Sequence, residues 1–108
     1  MHAEEPCTED LTLAVVMAAL SDPMRVAIVR QLATEGERTC GTFELGISKA
    51  TRSHHFRVLR EAGLTHTRAE GTHRHMSLRR DAVDERFPGL LSAVLTAAER
   101  ELTTAVPS

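Results

Sequence analysis

Apolar residues recur at helical spacing near both ends of the chain. The first helix is predicted to end near Leu20. A second is predicted from Pro23 to about Thr34, because Ser21 and Asp22 supply a cap before a proline at the first helical position. Pro88 can open a last helix that runs to Leu102. The apolar positions are Leu11, Ala14, Val15, Ala18 and Ala19 in the first helix, and Leu90, Leu91, Val94, Leu95, Ala98 and Leu102 in the last.

The middle of the chain combines short elements of different kinds. Residues 39–46 leave room for barely two turns of helix. Ser48 as N-cap and Gly63 as stop predict a helix from Lys49 to about Ala62. The following segments predict two strands joined across a glycine-containing turn, and then one more turn of helix: Leu64 to Ala69, His73 to Leu78, and Arg79 to Arg86. The pattern predicts a mainly α fold with a small β-hairpin.

The composition is that of one small domain. The chain has 108 residues, of which 42% are hydrophobic and 3% aromatic, so helices are favoured over a sandwich or barrel. We expect a flexible, acidic tail at residues 1–9 and a single domain at 10–104. The longest apolar run, near Leu13 to Leu20, is too short to span a bilayer, so we expect a soluble cytoplasmic protein without a membrane partner. Two cysteines do not suggest a disulfide framework.

The charges are distributed unevenly along the chain, and this distribution reverses the conclusion that the net charge alone would give about nucleic-acid binding. A formal net charge of -2 argues against binding to nucleic acid. Residues 49–80, however, carry eight Lys and Arg against two Glu, a balance of +6, which leaves -8 for the rest of the chain. This division predicts one cationic face on an acidic body.

The helix that begins at Lys49 has two chemically different faces. Leu59 and Ala62 lie at the centre of one face, with Val58 and Phe56 at its margins. The opposite face is short, polar and cationic, and comprises Lys49, Ala50, Ser53, His54 and Arg57. Such side chains can contact base edges and phosphates in the major groove, although an ordinary solvated face has the same pattern. The hairpin adds Arg68, His73 and Arg74, as expected of a wing that touches phosphates beside the groove.

Two segments resemble the signature of the ArsR/SmtB regulators: Ala19–Arg25 and Ser48–Leu64. The resemblance covers roughly Leu11 to Leu78 and implies a winged helix-turn-helix that dimerises through its first and last helices. It further implies a sequence-specific double-stranded DNA-binding transcriptional regulator, most often a repressor, acting as a homodimer on a palindromic promoter site. The resemblance implies that Thr51, Ser53 and His54 contact the DNA, and that Lys49 and Arg57 bind phosphates or bases. It also implies a dimer surface on the last helix, formed by Leu90, Leu91, Val94, Leu95 and Ala98.

Two features depart from the family pattern. Arg52 and His55 fall on the inward side of the recognition helix, and the family usually has an aliphatic residue at the first of these positions. Arg52 stays among the DNA-binding candidates, with Glu44 as a candidate partner for its buried part. The segment before the recognition helix is about two residues shorter than usual, which predicts an unusual angle between the two helices.

The usual metal sites of the family are incomplete. Cys40 stands alone where many relatives have two cysteines, and the predicted last helix has no His, Cys or Asp. The remaining weak candidates for Ni or Zn are Cys7, Cys40, His73 and His75. No cofactor is therefore expected beyond a weak Ni or Zn site, and the sequence leaves the signal open among a metal, a thiol oxidant, a separate protein co-regulator and no signal at all.

A protein-interaction module on a winged-helix scaffold is the alternative, with an incidental basic face. An enzyme is not predicted, because the histidines adjoin no paired carboxylate or nucleophile and no Gly-rich phosphate loop is present.

Overall fold

The predicted fold class is confirmed in a computed structural model, which describes residues 5–43 and 45–105. Helices pack around a three-stranded antiparallel sheet with the strand order β1-β3-β2. In chain order the described elements are α1 (Leu13–Ala19), α2 (Pro23–Glu35), β1 (Arg38–Thr39), α3 (Lys49–Ala62), β2 (Thr65–Glu70), β3 (His73–Leu78), α4 (Arg80–Arg86) and α5 (Leu90–Ala105). Among the described helices, none is long and apolar enough to cross a bilayer.

Helix α1 buries only a small part of its surface within one chain. Val16 and Ala19 are buried, whereas Ala14, Val15 and Ala18 are exposed. The predicted first helix is present, and Ala14, Val15 and Ala18 lie on its exposed side. Every side chain of α1 is apolar, so the spacing of apolar residues does not indicate which side meets the core.

The segment before α1 makes specific contacts. Residues Thr8–Asp10 form a 3₁₀ turn, where the sequence predicts a tail through residue 9. The Glu5 carboxylate accepts hydrogen bonds from His66 Nδ1 at 2.6 Å and from the Thr67 backbone N–H at 3.2 Å. This segment is therefore anchored to β2.

Local signals define α2 and α3 as predicted. The Asp22 side chain accepts from the Met24 N–H at 2.8 Å, and Pro23 opens α2. Ser48 Oγ accepts from the Thr51 N–H at 3.1 Å at the start of α3. Gly63 ends α3 with φ +88°, and a Cβ at this position would lie 2.1 Å from Leu11 Cδ2. This turn requires glycine for both its backbone angle and its close packing.

The segment between α2 and α3 differs from its prediction. Among the described residues of 39–46, a 3₁₀ turn at Cys40–Thr42 takes the place of the predicted short helix of barely two turns. The preceding residues instead form strand β1, in which Arg38 pairs with Met76 and Thr39 with His75. The sequence did not indicate this strand, because two residues are too few for an alternating pattern and the pairing is made across the chain.

The β2–β3 hairpin is in the predicted place, and its register determines which side chains share a face. Thr67 pairs with Met76, which is fully buried, so this pair faces the helices. Arg68 pairs with His75, and therefore both lie on the opposite face of the sheet.

The last helix contributes to the core of its own chain. Leu91 is 0% exposed, and Leu90 and Leu95 are partly buried against the core. The expectation that Leu91 belongs to a dimer surface is therefore wrong, because its side chain is already covered within one chain. Among the side chains that the structure describes, the large exposed apolar ones are Leu13, Val15 and Met17 on α1 and Leu102 on α5.

Candidate nucleic-acid interface

Helix α3 presents the predicted polar face to solvent. Its buried side chains are His55, Phe56, Leu59 and Ala62. Lys49, Thr51, Ser53, His54 and Arg57 are all exposed. Arg57 Nη2 donates to His54 Nδ1 at 3.4 Å, and the Thr51 hydroxyl accepts from Ser48 Oγ at 2.9 Å. The hydrophobic core therefore holds α3 while its reading face remains open.

A groove of about 860 Å³ lies between α3, the wing and the Cys40 turn. Cationic side chains from two elements converge on it: Lys49, Arg52, Arg57, Arg60 and Arg74. No carboxylate is present among the described residues that line it. In this region the acidic chain has a strongly positive surface, suited to a polyanion.

Arg52 is half-buried and partly engaged with the backbone. Its Nη1 donates to the Phe43 carbonyl at 3.1 Å, which satisfies the inward part of the guanidinium. Glu44, the partner suggested by the sequence, lies outside the described residues. Arg52 still lines the groove, so it supports the Cys40 turn and adds to the positive charge.

Arg60 lines the groove but is not among the DNA-binding residues predicted from the sequence. It lies three residues beyond Arg57 and lines the same groove. The helical repeat carries the signal, because Ser53, Arg57 and Arg60 follow the i, i+4, i+7 spacing of one face.

The two wing arginines lie on opposite faces of the sheet. Arg74 lines the groove together with His73. Arg68 is outside the groove lining, and its Nη2 donates to Glu37 Oε1 at 2.9 Å while its Nη1 donates to Glu70 Oε1 at 3.3 Å. The hydrogen bond from Arg68 lowers the pKa of Glu37 below its usual value. The structure therefore brings Arg74 and His73 together with α3, and does not bring Arg68 there.

The weak metal candidates are not gathered into a site. Cys7 is exposed, whereas Cys40 is half-buried in the groove, and burial raises the pKa of the Cys40 thiol despite nearby arginines. His75 lies 3.4 Å from Thr39 Oγ1 through Nδ1 and 3.2 Å from Glu70 through Nε2. Across residues 5–43 and 45–105, no three His, Cys, Asp or Glu side chains are grouped so that they could hold a metal ion.

Comparison with known proteins gives consistent similarities. Residues 20–68 match the family described as a helix-turn-helix domain. The chain is 41% identical over 90 residues to the uncharacterized HTH-type transcriptional regulator YceK of Bacillus subtilis, covering 81% of this chain and 90% of that protein.

Solved structures resemble the whole fold. Rv0081 of M. tuberculosis aligns with a TM-score of 0.63 and 26% identity, over 87% of this chain and 92% of that one. A "possible transcriptional regulator for arsenical resistance" aligns with a TM-score of 0.59 and 26% identity, over 89% and 100%. An ArsR family transcriptional regulator, RHA00566, shares the fold at 21% identity, with a TM-score of 0.58 over 88% and 93%.

Proposed function

The chain belongs to the ArsR-type family of winged helix-turn-helix transcription regulators, and from that premise we propose that it is a homodimeric repressor of a palindromic promoter site. A recognition helix lies in the major groove with its first turns near the base edges, and a wing contacts the adjacent phosphates. The exposed face of α3 and the groove-side residues of the wing suit these two tasks.

The observation that carries the proposal is the cationic groove between α3 and β3, which has no carboxylate among the lining residues that the structure describes. We assign base-edge contacts to Thr51, Ser53, His54 and Arg57 on the exposed face of α3. Lys49, Arg52, His73 and Arg74 serve phosphates from the two walls of the groove.

A second copy of the chain is the partner that suits α1. This helix has seven residues and no polar side chain, and Leu13, Val15 and Met17 are 47%, 50% and 54% exposed. Only Val16 and Ala19 are buried within one chain. A two-fold dimer formed here would cover the apolar face and present two copies of α3 to half-sites about 34 Å apart.

The direct test is fluorescence anisotropy on the promoter region of the chain's own gene, with random duplex as competitor. We expect binding at least about a thousandfold tighter to the specific site. Arg57→Ala or His54→Ala should each weaken binding by about 1–3 kcal/mol without loss of fold. Arg30→Ala, on α2 and outside the groove lining, is the matched control.

Salt dependence separates this function from protein docking. Each neutralised phosphate should contribute about 0.9 to the slope of log affinity against log salt. Absence of any specific binding by the wild-type protein would refute the proposal. A partner protein that binds with little dependence on salt would favour the interaction module instead.

A further inference from the structure

A single arginine links three helices behind the reading face. Arg25, on α2, donates from Nε to the Ala19 carbonyl at 2.6 Å and from Nη2 to the Ala18 carbonyl at 3.4 Å. Both acceptors lie in the last turn of α1, and the Ala18 carbonyl also accepts from the Ser21 hydroxyl at 2.6 Å and from the Ser21 N–H at 3.2 Å. The third nitrogen, Nη1, lies 3.2 Å from Nδ1 of His55 on α3.

The contact with Arg25 determines which ring nitrogen of His55 carries the proton. A guanidinium has only donors, so His55 Nδ1 must present its lone pair and the ring proton must sit on Nε2. His55 is 7% exposed, whereas Arg25 is partly exposed. The contact is therefore a directional hydrogen bond from a permanent cation to a nearly buried, neutral ring.

His55 directly adjoins the residues that face the groove. Its ring centroid is 5.9 Å from that of His54, the neighbouring side chain, which is exposed on the reading face. A rotation of α3 that moved His55 away from Arg25 would turn His54 and Arg57 by the same angle, because all three belong to one helix.

Asp22 is a charged group that also lies at this junction. Its carboxylate caps α2 through the Met24 N–H and lies in the field of both Arg25 and His55. Burial would raise the pKa of Asp22, but the hydrogen bonds from the Met24 and Arg25 backbone N–H groups and the positive charge of Arg25 outweigh it and lower that pKa. Asp22 thus provides negative charge beside the guanidinium at neutral pH.

We propose that Arg25 and His55 are positioning residues that set the orientation of α3 relative to α1, and so couple the dimer surface to the DNA-reading face. This rests on the proposed function, because the reading face matters only if α3 binds DNA. Its physical basis is that α1 buries only Val16 and Ala19 among its own side chains, while Arg25 binds the last carbonyls of α1 and the ring of His55 on α3 at the same time.

The contact itself can be measured without DNA. The ¹⁵N chemical shifts of the His55 ring in the wild-type protein should show an unprotonated Nδ1 and a protonated Nε2. Residual dipolar couplings should give one fixed angle between α1 and α3. A His55 ring protonated on Nδ1, or averaged between tautomers, would overturn the proposal.

Three variants separate positioning from general stability. His55→Gln keeps an acceptor for Arg25 and should preserve both the helix angle and DNA affinity. His55→Leu removes the acceptor but fills the space, and Arg25→Lys keeps the charge but loses the three-way fork. Each of the last two should weaken DNA binding about tenfold, as expected for one lost hydrogen bond to a charged group.

The double variant Arg25→Lys with His55→Leu completes the test. The two losses should be less than additive, because both changes remove the contact between Arg25 and His55, and only Arg25→Lys also disturbs the bonds to the Ala18 and Ala19 carbonyls. Additive losses, or an unchanged helix angle in folded His55→Leu, would contradict the positioning role whatever the DNA result. If the wild type shows the expected tautomer and fixed angle but binds no specific DNA, the proposed function fails, and the link to reading fails with it.

Discussion

Arg68 Nη2 donates to Glu37 Oε1 at 2.9 Å, on the face of the wing that points away from α3. The contact joins β2 to the residue that precedes β1. Arg74 is only six residues away in sequence but lines the groove on the other face. The basic hairpin therefore has one arginine facing the candidate DNA and one engaged with carboxylates.

The two wing arginines should differ in their effect on DNA binding. Arg74→Ala should lower affinity at every sequence and reduce the salt slope by about 0.9, because one phosphate contact is lost. Arg68→Ala removes the same charge on the opposite face and should leave the salt slope nearly unchanged. Anisotropy titrations at several salt concentrations measure both, and equal losses would place Arg68 at the DNA.

The exposed face of α1 should control assembly. Met17→Ser removes an exposed apolar side chain, so it should weaken a dimer by about tenfold or more without unfolding the chain. Sedimentation over a concentration series measures the dissociation constant, and far-UV circular dichroism checks the fold. An unchanged constant would argue against a dimer surface at Met17.

Substitution of Leu91, unlike that of Met17, should lower the stability of the single chain rather than weaken a dimer. Its side chain is fully buried within one chain, so Leu91→Ala should cost about 2–5 kcal/mol in unfolding free energy through lost packing and a cavity. Urea denaturation measures this loss. A variant of normal stability that fails to dimerise would show that Leu91 lies between subunits.

The turn at Gly63 should not tolerate alanine. Its positive φ alone disfavours a side chain by about 1–2 kcal/mol, and the added Cβ would lie 2.1 Å from Leu11 Cδ2. Gly71→Ala is the matched control, since Gly71 also has positive φ but nothing within 4 Å of the added carbon. Thermal unfolding should show a larger loss for Gly63→Ala. Equal losses would mean that the segment around Leu11 moves aside at little cost.

The link between Glu5 and β2 should depend on pH. Burial would raise the pKa of Glu5, but hydrogen bonds from His66 and the Thr67 N–H outweigh it and lower the pKa below 4.5. A carboxyl group whose pKa is lowered by folding stabilises the folded chain at pH values above its pKa in the unfolded chain, which is near 4.5 for Glu5. This stabilisation is lost as the pH falls through the pKa of Glu5 in the folded chain.

Glu5→Gln tests this dependence. The variant should be less stable than the wild type at pH 7, and the difference should shrink as the pH is lowered below about 4.5. Urea denaturation across pH measures the difference, and hydrogen exchange at the Thr67 amide should be faster in Glu5→Gln at pH 7. A difference in stability that does not vary with pH would contradict the role of the carboxylate.

Local sequence signals determined α3 almost completely. Ser48 caps it three residues before Thr51, and Gly63 ends it in a left-handed conformation. The polar and apolar faces follow from the helical repeat, so the burial of Leu59 and Ala62 and the exposure of His54 were predictable. These determinants act within a few residues along the chain, which is why the sequence reveals them.

Only the tertiary structure decided which side of each surrounding element faces inward. The uniformly apolar α1 contains no information on its buried side, and Leu91 is covered because α5 packs on the core of its own chain. Arg68 lies away from the groove because the strand register pairs it with His75. Arg25 reaches His55 across 30 positions of sequence. Such relationships depend on partners brought together by folding, and no local pattern of residues specifies them.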